Sequence, residues 1–129
     1  MIGISPKLPM SLSPNGGHLL NETHESSVAQ NFKNLILTCP GEKMMDPLFG
    51  VGLRNFLFEN DTAALKREIF EKIKKQTHMY MPFISLDAVN ISSSDKGRGP
   101  SITSAASLTV SIRYSIIPLN VTNLLTVDV

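Results

Sequence analysis

Tryptophan is absent from this 129-residue chain, cysteine occurs once, and only 6% of the residues are aromatic. A lone thiol, Cys39, allows neither an internal disulfide nor a metal site built on cysteine pairs. A reducing cytoplasm is therefore the expected folding context. Charge of one sign is also missing: 12 Lys and Arg against 11 Asp and Glu leave a formal net charge of +1. Phosphate binding depends on clustered cations that displace counterions, so this balance gives no general pull toward nucleic acid. Long apolar runs are lacking too. The opening MIGISPKLPMSLSPNGG has three prolines and no continuous apolar stretch of the roughly 7–15 residues a signal peptide needs, so neither secretion nor membrane insertion is expected.

What is present fits one globular domain. The chain is 42% hydrophobic and 18% charged, and a domain of this length buries roughly two thirds of the surface its unfolded chain exposes. The local cluster Lys66, Arg67, Lys72, Lys74 and Lys75 is interleaved with Glu68 and Glu71 at helical neighbour spacing, which reads as a solvated helix face.

Residues 1–22 read as an extended tail. Pro6, Pro9, Pro14, Gly16 and Gly17 work against regular hydrogen bonding, and the segment has too little apolar content for its own core. Ile2, Ile4, Leu8 and Met10 give it something to bury, so it is expected to be disordered alone or ordered by lying across a partner. From about Thr23, Val28, Phe32, Leu35, Ile36 and Cys39 recur on one helical face. Thr23, Ser26 and Ser27 can each cap that helix, and Pro40 with Gly41 ends it. After Pro47, Phe49, Leu53, Phe56 and Leu57 predict a second, short helix in spite of Gly50 and Gly52, whose presence points to close backbone approach. A third helix starts at Asp61 or Thr62, carries Leu65, Ile69, Ile73 and Tyr80, and stops at Pro82.

Beyond Pro82 the apolar period changes from helical to two. Ile84, Leu86 and Ala88 alternate, and Val89 and Ile91 continue with opposite parity, which predicts a bulge. SSSDKGRGPS reads as a loop. Leu108, Val110, Ile112, Tyr114 and Ile116 then alternate with Thr109, Ser111, Arg113 and Ser115, the strongest strand signal in the chain. Pro118 breaks the run, and a last strand turns Leu125, Val127 and Val129 inward. Residues 23–129 are thus expected to form a single α+β domain, with three helices on a C-terminal three-stranded antiparallel sheet. Such a sheet has open edges. Unpaired amides and carbonyls there invite a strand from another chain, and the expected contacts are Thr109, Ser111, Arg113, Leu125 and Val127.

The catalytic patterns fit poorly. Gly50-Val51-Gly52 lacks the preceding strand and third glycine of a dinucleotide fingerprint, and no GxSxG elbow occurs. His18, His24 and His78 are not spaced as metal ligands, so no metal or cofactor is expected. Glu42 and Glu59 flank the proline- and glycine-rich stretch TCPGEKMMDPLFGVGL and form the one carboxylate pair worth weighing, as a muramidase-type hydrolase. Without tryptophan and with tyrosine only at 80 and 114, the sugar platform for that chemistry is thin. The competing reading is a structural Glu42, held by Lys43, Arg54 or backbone amides.

The run NLILTCPGEKMMDPLFGVGLRNFLFEN, Asn34 to Asn60, resembles the baseplate wedge family of contractile-tailed bacteriophages, which is related to a baseplate component of type VI secretion systems. The family pattern reads like LLxTxxGERxxxPxFGxxLxxLLFE. It is met here by Leu35, Leu37, Thr38, Gly41, Glu42, Pro47, Phe49, Gly50, Leu53, Leu57, Phe58 and Glu59. Lys43 stands where the family has arginine, and an ammonium lacks the bidentate fork of a guanidinium. The resemblance implies a structural protein of the virion tail baseplate, assembled in the host cytoplasm, with a type VI secretion component as the alternative. It implies docking to other wedge proteins through Gly41, Glu42, Lys43, Pro47, Phe49, Gly50 and Arg54. It further implies contact with the tail sheath protein, whose polymerisation the C-terminal sheet starts, and proximity to tail tube or tube-initiator proteins. Nucleic acid and membrane are not among the implied partners.

Overall fold

The computed structural model describes residues 2–94 and 107–129. Two α-helices lie over one face of a three-stranded antiparallel sheet. α1 spans His24–Leu37 and is capped by Thr23, whose hydroxyl accepts from the Ser26 amide. Its buried face carries Phe32, Leu35 and Ile36, as the spacing predicts. α2 spans Ala63–Tyr80, with Thr62 rather than Asp61 at the cap position, accepting from Leu65 N. Leu65, Ile69 and Ile73 are buried one turn apart. Asp61 has a different task. Its carboxylate accepts from Ser93 of the sheet and pairs with Lys66 at 3.2 Å, and the Ser93 contact above all holds its pKa below the usual value.

The expected second helix is absent. Leu53–Phe56 is a single 3-10 turn, and Phe49 lies outside it. Gly50 and Gly52 have φ of +111° and +71°, conformations that no right-handed helix passes through, so the segment loops where its apolar spacing resembles a helix.

The sheet runs β3 (Ile84–Ser94), β4 (Ser107–Ile116), β5 (Val121–Asp128), in that spatial order. β3 shifts register between Leu86 and Ala88, where the parity change predicts a bulge. Ser92–Ser94, expected to open a loop, are the end of β3; positions 95–101 of that loop lie outside the described residues. β4 buries Leu108, Val110, Ile112, Tyr114 and Ile116 against the helices and turns Thr109, Ser111, Arg113 and Ser115 to the other face. Phe32 of α1 meets Tyr114 edge-on, ring centroids 4.9 Å apart.

The β4 assignment corrects an expectation. Thr109, Ser111 and Arg113 are not at an edge, because β4 is the middle strand and is paired on both sides. Among the described residues the edge strands are β3 and β5.

The N-terminal segment is also more ordered than its prolines suggest. β1 (Ser5–Pro6) pairs with β2 (Leu20–Asn21), and bonds from Ile4 N to Asn21 O, Lys7 N to Leu19 O and Leu19 N to Ser11 O use amides that the prolines leave free. Gln30 of α1 fastens the base. Its Oε1 accepts from Leu8 N and from Asn21 Nδ2, and its Nε2 donates to Pro6 O. Among the described residues no helix is long and apolar enough to cross a membrane.

The buried Tyr114 phenol gives a pH-dependent prediction. Desolvation raises its pKa above the usual 10.0, partly opposed by a hydrogen bond with Asn123. The unfolded chain therefore releases this proton first. The associated stability is complete below about pH 10 and is lost as pH rises toward the folded value, at up to about 1.4 kcal/mol per pH unit. Tyr114→Phe should lose about 1 kcal/mol at neutral pH with the Asn123 bond, yet show a shallower fall above about pH 10. Urea midpoints at neutral pH and above about pH 10 measure the two effects.

Candidate functional site

Residues 38–58 form an elbow between α1 and α2, built from consecutive tight turns. Glu42 N donates to Cys39 O at 3.1 Å, Asp46 N to Lys43 O at 3.3 Å, and Phe49 N to Asp46 O at 3.2 Å. Gly41 N closes the loop by donating to Pro47 O at 2.9 Å. Val51 N then donates to Leu35 O, bringing the segment against α1.

The glycines do two different jobs. At Gly41 the backbone needs φ of +95°, but a Cβ there would meet nothing within 4 Å, so only the turn conformation calls for glycine. Gly50 and Gly52 need both. A Cβ on Gly50 would fall on the Thr38 carbonyl, 2.8 Å from its carbon, and one on Gly52 would come 2.9 Å from Pro40 Cδ.

Glu42 is exposed, and its Oε2 accepts from the Cys39 amide at 3.1 Å, so of the holders expected from sequence the backbone is the one engaged. Lys43 extends instead over the Phe49 ring, 4.4 Å from its centroid, a contact an ammonium makes without any fork. Phe49 in turn meets Tyr80 edge-on at 4.9 Å. The Tyr80 phenol is hydrogen-bonded to Asp46, which with some desolvation raises its pKa. Gly41, Glu42, Lys43, Pro47, Phe49 and Gly50 are thus brought together in one structure. Arg54 is exposed on the 3-10 turn and is not drawn into it.

Two features of the elbow escaped the sequence reading. Its outer surface carries large apolar side chains: Met44 and Met45 are each 94% exposed, Leu48 70% and Phe58 94%. Such residues on one short loop exceed the scatter of single exposed apolar side chains. The second feature is Gln76 of α2, whose Oε1 accepts from Gly50 N at 3.1 Å while its Nε2 donates to Leu48 O at 2.9 Å. A polar residue inside a charged helix stripe carries no sequence signal for such a contact.

The carboxylate pair does not share a cleft. Glu42 lines a groove of about 600 Å³ with Phe49, Tyr80 and Phe83, whereas Glu59 lines a separate hollow of about 230 Å³ with Asp61, Lys66 and Ser93. Glycoside hydrolysis needs both carboxyls across one bond. Among the described residues no group of His, Cys, Asp or Glu is arranged to hold a metal ion.

At the sheet edge the register decides which groups are free. Leu108 and Val129 exchange both backbone bonds, N to O at 3.1 and 3.0 Å. Antiparallel pairs alternate, so Val127, Leu125 and Asn123 also direct their backbone groups to β4. The outward amides and carbonyls belong to Thr122, Leu124, Thr126 and Asp128. Leu125 and Val127 sit on the edge strand, but through side chains turned to the core and backbone turned to β4.

Residues 22–120 match the family described as baseplate wedge protein gp25. Among solved structures, the chain is similar to a subunit of the anti-feeding prophage baseplate, seen by cryo-electron microscopy in a 6-fold symmetrised assembly. The two share 28% identity over 85% of this chain and 82% of that one, with a TM-score of 0.67. It is also similar in fold to a tail-lysozyme candidate from Geobacter sulfurreducens, 21% identical over 86% of this chain and 94% of that one, with a TM-score of 0.65. Among curated protein sequences none matches. With 22–120 covered by one family, and the elbow and sheet arranged as above, the chain belongs to the baseplate wedge family typified by gp25.

Proposed function

We propose that this chain is a structural component of a contractile-injection baseplate, docking to other wedge proteins through its elbow and starting the sheath by accepting a strand at its sheet. Membership of the wedge family and likeness to a subunit of an assembled prophage baseplate support the setting. The observation that carries the reading is the edge of β5, where four residues in alternation direct outward backbone groups that no other described residue pairs. β5 has no proline, no lysine or arginine, and an unbroken register with β4, and its one charge, Asp128, stands at the last position of the strand, so the edge is only weakly blunted. β3 is the poorer edge, since its bulge at Leu86/Ala88 interrupts any continuous ladder.

Docking uses the apolar outer surface of the elbow. Its floor is fixed by the turns, by Glu42 on the Cys39 amide and by Phe49 between Lys43 and Tyr80. Residues 1–22 serve as a tail on the single domain 23–129 and offer further apolar side chains to a neighbour.

Two measurements test these roles separately. Purified chain added to purified sheath subunits should shorten the lag of polymerisation seen by light scattering, in proportion to the amount added. A sheath lag indifferent to it would remove the initiator role. In particle-producing cells, the pair Met44→Ser and Met45→Ser should reduce incorporation of the chain into sedimenting baseplates by about tenfold or more, since burial of each methionine is worth about 1.5–3 kcal/mol. Glu42→Gln, which weakens a charge-assisted bond, should have a smaller effect in the same direction. Wild-type incorporation of the double variant would reject the elbow as the docking surface.

A further inference from the structure

We infer that Gln76 positions the docking elbow, a role that rests on the docking reading above and adds to it the residue that fixes the surface's shape. α2 presents three side chains one turn apart to the elbow. Lys72 lies 4.8 Å over the Phe56 ring, Gln76 bridges Leu48 and Gly50, and Tyr80 meets Phe49. Of the three, only Gln76 grips the elbow's backbone.

The grip needs a primary amide. A single planar group must present an acceptor to Gly50 N and a donor to Leu48 O, the two positions that flank Phe49. Glutamine has both, and its length spans from the helix to the loop. The bridge acts on the loop much as a neighbouring strand would, fixing the peptide planes on either side of Phe49. With those planes fixed, Phe49 is turned in under Lys43 and Leu48 is turned out, 70% exposed, on the same loop as the exposed Met44 and Met45. Gly50 is buried, and among the described residues no backbone carbonyl takes up its amide in place of Gln76. Loss of the bridge therefore leaves a buried donor unpaired, and the loop relieves this by rotating or opening. The consequence is local, because α1, α2 and the sheet meet through other, apolar residues.

Gln76→Met tests the hydrogen bonds apart from packing, since it keeps length and volume and removes the amide. Gln76→Glu keeps the acceptor for Gly50 N and removes the donor to Leu48 O. In Gln76→Met the Gly50 amide should exchange about tenfold faster, and the thermal midpoint should fall by only a few degrees, as one unpaired buried donor requires. Incorporation into baseplates in particle-producing cells should fall by about tenfold, with Gln76→Glu between the two. A structural role by packing alone would leave Gln76→Met like wild type in both readouts, and that result overturns the inference. So does faster Gly50 exchange with wild-type incorporation, provided that Met44→Ser with Met45→Ser still blocks incorporation, in which case docking stands without Gln76. If the methionine pair also incorporates normally, the docking reading fails and the positioning role falls with it.

Discussion

Gly50→Ala is expected to cost about 2–5 kcal/mol. The left-handed backbone at φ +111° costs a non-glycine residue about 1–3 kcal/mol, and forcing a methyl into a packed site adds about 1–3. The added Cβ lands on the Thr38 carbonyl, which is backbone and cannot move aside as a flexible side chain would. Thr38 is itself held, because its N–H and its hydroxyl both donate to Asn34 O at the end of α1. Against a total stability of about 5–15 kcal/mol for a domain of this kind, the loss is large enough to unfold a substantial fraction at elevated temperature. The neighbouring glycines supply the scale. Gly52→Ala meets a proline ring edge at 2.9 Å and should cost less, and Gly41→Ala meets open space and should cost only the backbone strain of about 1–3 kcal/mol. Urea denaturation of the three variants should give that order. Equal losses for Gly41→Ala and Gly50→Ala would mean that the elbow does not press on α1 as described.

These glycines also mark where the sequence could be read and where it could not. Strand periodicity is a local signal, so β4 was visible in its alternation, and the β3 bulge in a change of parity between Leu86 and Ala88. Helix caps are local too, and Thr23 was among the residues that could serve. The second helix failed because apolar spacing says which residues turn inward, not whether the backbone is continuous. Phe49, Leu53 and Phe56 do turn inward, but through a loop whose two positive φ values only glycine tolerates easily. Glycine at 50 and 52 was the contrary signal, and it pointed correctly to close approach.

The edge assignment failed for a different reason. Strong alternation reports one buried face and says nothing about whether a strand is central. In a meander of three strands the second lies in the middle, which places Thr109, Ser111 and Arg113 away from any edge. The polar grips were out of reach altogether. Gln30 meets Asn21 nine residues away and Leu8 at twenty-two, and Gln76 meets Gly50 and Leu48 at twenty-six and twenty-eight. Such pairs follow from the tertiary fold and leave no periodic trace. The legible half of the elbow was the turn chemistry of proline and glycine, while its exposed apolar side chains at Met44, Met45 and Leu48 read in sequence as ordinary core material.

The strand-addition reading stands or falls on Thr126→Pro. Thr126 pairs with Ser111 in a position whose backbone groups face away from β4, so proline there removes an outward amide and leaves the β4–β5 ladder intact. The residue before it, Leu125, is already extended, as a residue preceding proline prefers. The variant should therefore fold, with a loss of no more than about 1 kcal/mol, or roughly 3–4 °C in thermal midpoint for a domain of this size. Its effect on sheath polymerisation should be far larger. A strand laid along β5 would lose a ladder bond at the centre of its contact and meet the pyrrolidine ring, and seeding should fall by about tenfold or more. Two controls fix the interpretation. Ser111→Pro breaks the middle strand's bond to Asn90 of β3 and should unfold the sheet, so loss of seeding there would say nothing about the edge. Val89→Pro removes an outward amide from the opposite edge, since its partner Ile112 is bonded to β5, and should leave seeding unchanged. If Thr126→Pro seeds like the natural chain while Val89→Pro does not, the incoming strand lies along β3, and the regular edge of β5 has some other occupant.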